Sequence, residues 1–445
     1  MIGPAGENKE KRPRPVMKIT NVRAREIFNL KGLPTVEADV ILEDGSVGRA
    51  SSPGGTSRGR YEAVDLLDGD KKYFNGMGVF SAIEKVNTEI AHAVRGLNAF
   101  DQEALDRLLI DLDGTHDKSR LGGNAVTAIS LANAKAAACS LGLKLYEYFG
   151  DGREVPLSFV YVMFGGPAYV GLKGVGDFQE YALIPLFAES YREGYLATLK
   201  IYDRLCDLLA RKTGNEKPRY KKMAGIPVPQ FGSNEEALAE LTRLIEEDGY
   251  TPRKDYGIYL DVAASQLHED GYYRLKADGK VLSTARMLDW LEYLCDQYPI
   301  ISIEDGLFEE DWNGWNRLTR RLGDRVQLVG DDLFTTNKLR LKKGIDLEIA
   351  NAIVIKPNQV GTLTETMDTI GLAKEAGYGT VISPRSGELW DPYLVHLCVA
   401  QKLGQGKISG AFVTGESNVN EICRISDSPD ERIEYAGRNV LTRFL

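Results

Sequence analysis

The chain has 445 residues, 43% of them hydrophobic and 27% charged, with a formal net charge of −9. That length accommodates two domains, or one small domain joined to a barrel of about 250 residues. The acidic balance argues against non-specific nucleic-acid binding, and the lack of any run of about 18 apolar residues argues against a transmembrane helix.

The first 16 residues, MIGPAGENKEKRPRPV, are polar and read as a disordered extension without the apolar core of a signal peptide. From Met17 to about residue 52 the pattern is strand-like, with TVEADVILEDGSVGRA alternating around an Asp-Gly turn. VFSAIEKVNTEIAHAVRG then has helical spacing up to a glycine, and the Ala-rich NAVTAISLANAKAAACSLG predicts a second helix ending at Gly142. A few strands followed by helices make a small α+β domain, and the turn-rich YFGDGREVPL places its boundary near residue 150. The expected division is therefore 1–16, 17–150 and 151–445.

Beyond the boundary, short β-rich runs alternate with amphipathic ones such as ARMLDWLEYLCDQY and LTETMDTIGLAKEAG. The strand candidates are SFVYVMF, FQEYALIP, GIYLDVAA, PIISIEDGL, VQLVGDDLF, AIVIKPNQ, GTVISPRS and KISGAF. Eight strands with helical spacers fit a closed, TIM-like α/β barrel. The five cysteines show no CxxC spacing and read as reduced, mostly buried thiols of a cytoplasmic protein. Four histidines without HExxH spacing argue against a zinc site.

A polar residue stands at or just beyond the ends of several strand candidates: Glu180, Asp261, Glu304, Asp331, Lys356 and Lys407. Any one of them alone reads as a solvated strand terminus. In a β/α barrel, six in strand order converge on the mouth where active sites are built. Three carboxylates, Asp261, Glu304 and Asp331, brought to one point need a cation, and hard oxygen ligands favour Mg2+. Lys356 and Lys407 add two amines, and a lysine crowded by another cation and a divalent metal is pushed down towards a useful base. The set suits removal of a proton next to a carboxylate.

LPTVEADV, VDLLDGDKKYF, IDLDGT, GNAVTAISLANAKAAA, SIEDGL, GDDLF, KPNQVGTLTET and SPRSGE, in this order from about Met17 to Arg424, together resemble the enolase (phosphopyruvate hydratase) family. The resemblance implies an N-terminal α+β domain followed by an eight-stranded α/β barrel. It also implies dehydration of 2-phosphoglycerate to phosphoenolpyruvate, with Mg2+ as cofactor and a homodimer or higher homo-oligomer as the assembly. By the same resemblance, Asp261, Glu304 and Asp331 match the metal ligands, Lys356 the catalytic base and Lys407 the second active-site lysine. Arg385 and Ser386 match the pair that holds the substrate phosphate, and Gln179 and Glu180 the pair lining the site. Ser57, in PGGTSRG, matches the mobile-loop serine that reaches a second Mg2+.

Three departures fall in the site. The family's GDEGG glutamate, a general acid, aligns with Ala224 in KMAGIPVPQFGSN. The NGGxHA histidine has no counterpart in FGGPAYVGLKGVGD, which is about three residues longer. SHRSGE becomes SPRSGE, with Pro384 in place of the histidine. The half that removes a proton is retained and the half that expels the departing group is changed. Near Ala224 the chain adds Arg219, Lys221 and Lys222, cations suited to a second anionic substrate. Together this is similar to carboxyphosphonoenolpyruvate synthase, an enolase-like enzyme of phosphonate biosynthesis that joins a phosphonoformyl group from a nucleotide-activated donor to an enolpyruvate unit. The expected partners are thus a small phosphorylated substrate and a second, nucleotide-activated one, with no nucleic acid and no membrane. The other readings are an ordinary enolase and a non-catalytic scaffold of the same fold.

Overall fold

The structure, a computed structural model, describes residues 16–55, 59–166, 176–214, 231–410 and 416–445. It opens with an antiparallel sheet of β1 (Ile19–Phe28), β2 (Pro34–Leu42) and β3 (Val47–Ser51). On β2, Val36, Ala38 and Val40 are fully buried on one face. Glu37 and Asp39 alternate onto the other, where Arg25 and Arg49 pair with them. The helix expected after this sheet is broken by a π turn, Val86–Ile90, between Phe80–Lys85 and Ala91–Val94. Within that turn Asn87 bonds both the N–H (2.7 Å) and the carbonyl (3.1 Å) of Ala24 on β1.

Two longer helices complete the domain: α1 (Gln102–Asp113), capped by Asp101, and α2 (Gly123–Ser140). The alanines of α2 are small enough for β3 to lie directly on it, and a Cβ at Gly48 would fall 2.0 Å from the Ala132 carbonyl. Its other side meets the barrel, where Ser130 Oγ accepts the Leu363 N–H at 3.0 Å. Such a helix is buried on nearly every face.

The barrel strands are β4 (Leu157–Phe164), β5 (Glu180–Pro185), β6 (Tyr256–Asp261), β7 (Ile300–Glu304), β8 (Gln327–Gly330), β9 (Ala352–Ile355), β10 (Gly379–Ile382) and β11 (Gly404–Gly410). They pair in chain order, and β11 closes onto β4. All eight expected runs form these strands. The helices α3 (Tyr191–Thr213) and α4 (Asn234–Glu247) follow β5. One helix of eight or more residues then precedes each later strand: α5 (Thr284–Gln297), α6 (Trp312–Leu322), α7 (Lys338–Asp346), α8 (Leu363–Glu375) and α9 (Tyr393–Ala400). Phe159, Tyr259, Ile301, Val329, Val354 and Val381 fill the barrel interior, so it is a packed core and not a pore.

One strand departs from uniform alternation. β5 runs antiparallel to both neighbours, whereas the other pairings are parallel. Its first residue therefore lies at the mouth where the other strands end. The first domain docks on the same side: Ala63 N–H donates to the Gln359 carbonyl (2.7 Å), and Gly54 and Gly387 exchange backbone bonds of 3.0 and 2.8 Å. Lys118 and Glu365 pair at 2.6 Å across the seam.

Candidate active site

The register of β5, β6 and β7 sets three carboxylates in a row. Glu180 lies opposite Asp261, and Asp261 opposite Glu304. This corrects the expectation that Glu180 ends a strand: it opens one, and the reversal of β5 brings it to the mouth. Lys407 is likewise not terminal. It lies within β11, where pairing to β4 is irregular between Gly406 and Ser409, and its amine enters the barrel at 2% exposure. Lys407 Nζ stands 2.9 Å from Glu180 Oε2, 3.3 Å from Asp261 Oδ2 and 2.6 Å from Glu304 Oε2. Gln179 Nε2 donates to Asp261 Oδ2 at 3.2 Å.

A second cluster lies on the next strands. Lys356, just beyond β9, pairs with Asp331, just beyond β8. Gln359 holds the other Asp331 oxygen at 2.8 Å. Asp305 has a positive φ of 44°, and its carboxylate accepts the N–H groups of Asp331 (3.0 Å) and Asp332 (2.8 Å). Oxygens of Asp305, Asp331 and Asp332 lie within 4.8 Å of one another. The structure thus divides the expected ligand set: Asp261 and Glu304 face Lys407, and Asp331 faces Lys356 amid two aspartates not singled out from the sequence.

Beyond β10, Pro384 is half-buried between Ser383, whose N–H reaches the Ile355 carbonyl, and buried Arg385. Proline offers neither a side-chain donor nor an N–H, so the donors of this loop are its neighbours. Arg385 Nη1 donates to Glu62 Oε2 of the first domain at 2.8 Å. Gly55 passes so close that a Cβ there would fall 1.9 Å from Arg385 Nη2. Lys31, at the tip of the β1–β2 hairpin, donates to Ser386 Oγ at 2.8 Å. Residues 355 positions apart thereby meet in one corner that brings the cations of Lys31 and Arg385 together.

Electrostatics explains what these groups favour. One ammonium cannot neutralise three carboxylates: burial, with Glu180 and Asp331 nearby, pushes Asp261 up to about 7 despite Lys407, and burial also raises Glu304. Burial likewise works to raise Asp331, but Lys356 and Lys407 outweigh it and hold that carboxyl at about 2. For the lysines the direction is opposite to the expected fall. Burial favours their neutral form, yet Asp331 holds Lys356 above the ordinary value, and Glu180 and Glu304 do the same for Lys407. A divalent cation fits this surplus of negative charge. Glu304, fully buried, keeps Oε1 without a donor, an acceptor poorly provided for except by a cation.

Ser57, Arg219, Lys221, Lys222 and Ala224 lie outside the described residues, as does most of the histidine-free segment after Gly166. Of the residues that sequence reasoning missed, Asp305 and Asp332 were signalled by the acidic doublets in SIEDGL and GDDLF. Lys31, Glu62 and Gln359 carry no local signal, because each acts through a partner far along the chain.

Two family models match. One described as the enolase C-terminal TIM barrel domain spans residues 154–444, and one described as the enolase N-terminal domain spans 19–149. Each covers the part of the chain where the corresponding architecture is observed, the closed eight-stranded barrel in 154–444 and the antiparallel sheet with its helices in 19–149. The chain belongs to the enolase family.

Proposed function

We propose that this chain is a Mg2+-dependent enzyme that removes the α-proton of a phosphorylated or phosphonylated carboxylate of the 2-phosphoglycerate class. The observation that carries this reading is the pair of amines inside one barrel mouth, buried Lys407 facing a row of three carboxylates and half-buried Lys356 facing Asp331. A structural metal site needs no such amines, which weighs against a scaffold.

Asp261, Glu304 and Asp331 are the residues that would hold the cation. Bound Mg2+ supplies positive charge to a substrate carboxylate as negative charge builds there. With Asp331 engaged on a cation, Lys356 would lose the partner that keeps it charged. Burial, Arg385 and Lys407 would then favour its neutral amine, the form a base requires. Lys407 holds the carboxylate end, and Arg385 with Ser386 holds the phosphoryl or phosphonyl group. The departing-group half is rebuilt in the manner of carboxyphosphonoenolpyruvate synthase. Ala224 and Pro384 have replaced groups able to donate a proton, and Lys221 and Lys222 are suited to a second, nucleotide-activated substrate.

The test is solvent exchange of the α-proton of 2-phosphoglycerate in deuterated water with Mg2+, alongside phosphoenolpyruvate formation. Wild type should exchange, and Lys356→Ala should not; undiminished exchange in the variant would move the base elsewhere. Phosphoenolpyruvate should form at least about a hundredfold more slowly than in an ordinary enolase, the low end of a lost general acid. Restoring Glu at 224 with His at 384 should recover part of that rate. Turnover at the ordinary family rate in wild type would identify a standard enolase, and neither exchange nor turnover would identify a scaffold.

A further inference from the structure

Tyr161 stands among the catalytic groups without a described role. On β4, Leu157, Phe159 and Tyr161 alternate into the barrel, and pairing with β5 becomes irregular immediately after Tyr161. Tyr161 is therefore the last inward-facing residue of β4 before the mouth. Leu157 and Phe159 are fully buried, whereas Tyr161 retains 8% exposure. Its ring lies 5.8 Å from Lys407 Nζ and packs on Phe164 at 5.2 Å. Its hydroxyl makes no hydrogen bond to any described residue, although a buried phenol ordinarily finds a partner.

The position of the strand matters as much. In the closed barrel β5 lies four strands from β9 in either direction, and β4 is its neighbour. The amine proposed as base, beyond β9, thus faces Glu180 across the mouth, with Tyr161 beside Glu180. Burial, then Glu180, hold the phenol well above its ordinary value, so it remains an O–H donor. A donor on the side opposite the base is where an oxygen leaving the adjacent carbon develops charge.

We propose that the Tyr161 hydroxyl donates a hydrogen bond to the substrate oxygen on the carbon next to the one that loses its proton, as part of the rebuilt departing-group half. This inference rests on the substrate class proposed above. It assigns to β4 a donor function for which the first departure, Ala224, leaves no side chain.

The test pairs two ligands with two proteins by calorimetry at saturating Mg2+. 2-Phosphoglycerate carries the oxygen in question, and 2-phospholactate lacks it, with a methyl in place of the hydroxymethyl group. Wild type should bind 2-phosphoglycerate about five- to tenfold more tightly than 2-phospholactate, the range one hydrogen bond supplies. Tyr161→Phe keeps the ring against Lys407 and should bring that ratio to about one while leaving 2-phospholactate affinity unchanged. An equal ratio in both proteins, or no preference in wild type, overturns the role of Tyr161 while the substrate reading stands. Failure of wild type to bind either ligand overturns the substrate reading, and this inference with it. Circular dichroism and thermal melting of Tyr161→Phe check that the fold is intact, as loss of an unbonded hydroxyl predicts.

Discussion

Glu304 illustrates how one side chain connects two demands. One of its oxygens holds Lys407 at 2.6 Å, and the other is sealed without a donor. Replacement by Gln keeps the size and removes the charge that a hard cation needs. Glu304→Gln should lower Mg2+ affinity at least about tenfold by calorimetry. Unchanged affinity would place the ion instead among Asp305, Asp331 and Asp332. At this scale the sequence was most legible where a charge interrupts a buried strand. Lys356 follows AIVI and Glu304 follows IISI, and burying a charge is costly enough to demand a reason. Lys31 was not legible, since its role exists only once the hairpin tip meets Ser386.

The loop beyond β10 is positioned chiefly by the first domain. Gly54 and Gly387 exchange backbone bonds, the Leu30 N–H reaches the Glu388 carbonyl, and Asn29 Oδ1 stitches the hairpin tip through the N–H groups of Lys31 and Leu33. Gly55 then lies directly on the Arg385 guanidinium. Gly55→Ala should displace Arg385 and raise the apparent Kd for 2-phosphoglycerate at least about tenfold, as expected when one charge-assisted bond is lost. Gly54→Ala is the matched control, because its Cβ would meet only the Asn29 amide at 3.2 Å. Equal effects of the two substitutions in a titration would show that close approach to Arg385 is not what matters. All eight barrel strands could be read from their apolar runs, but the reversal of β5 could not, because period and burial are the same in either direction. A hint existed: FGGPAYVGLKGVGD has no helical period, and only antiparallel neighbours are commonly joined without a crossover helix.

Across the whole molecule, the seam between domains carries a titration. Asp106 of α1 is fully buried and accepts the Thr364 N–H (2.9 Å), the Thr364 hydroxyl (2.6 Å) and Gln102 Nε2 (3.0 Å). Burial nevertheless pushes it up to about 6 from an ordinary 3.8. The folded state then binds the proton more tightly than the unfolded chain, so this group's contribution to stability falls as pH rises from about 4 to 6 and is flat above. Two pKa units correspond to about 3 kcal/mol, an upper bound. Denaturant unfolding of wild type and Asp106→Asn from pH 4 to 7.5 should show the variant gaining on wild type as pH rises, by up to that amount. A pH-independent difference would mean that Asp106 does not titrate in this window. Glu388, raised by burial to about 7, adds a slope of the same sign that both proteins share. Nothing in DRLLID itself shows that α8 of the barrel will cover Asp106, because the covering residue Thr364 lies far along the chain.

The reversed strand has a consequence for how this protein could change its chemistry over time. Because β5 descends, the chain reaches the mouth twice between β4 and β6: at the link from Gly165 to Gln179, and again where α4 begins. Asn234, the first residue of α4, joins the two visits by accepting the N–H groups of Asp177 (2.7 Å) and Phe178 (3.3 Å). In the sequence, the histidine-free segment lies within the first link and Ala224 lies between α3 and α4. Asp331, Lys356 and Arg385 stand elsewhere, beyond β8, β9 and β10, whose ladders touch neither stretch. Mutation in these links can therefore act on one side of the mouth while β8, β9 and β10 keep their geometry, a separation of parts that lets a barrel vary one bank independently of the other.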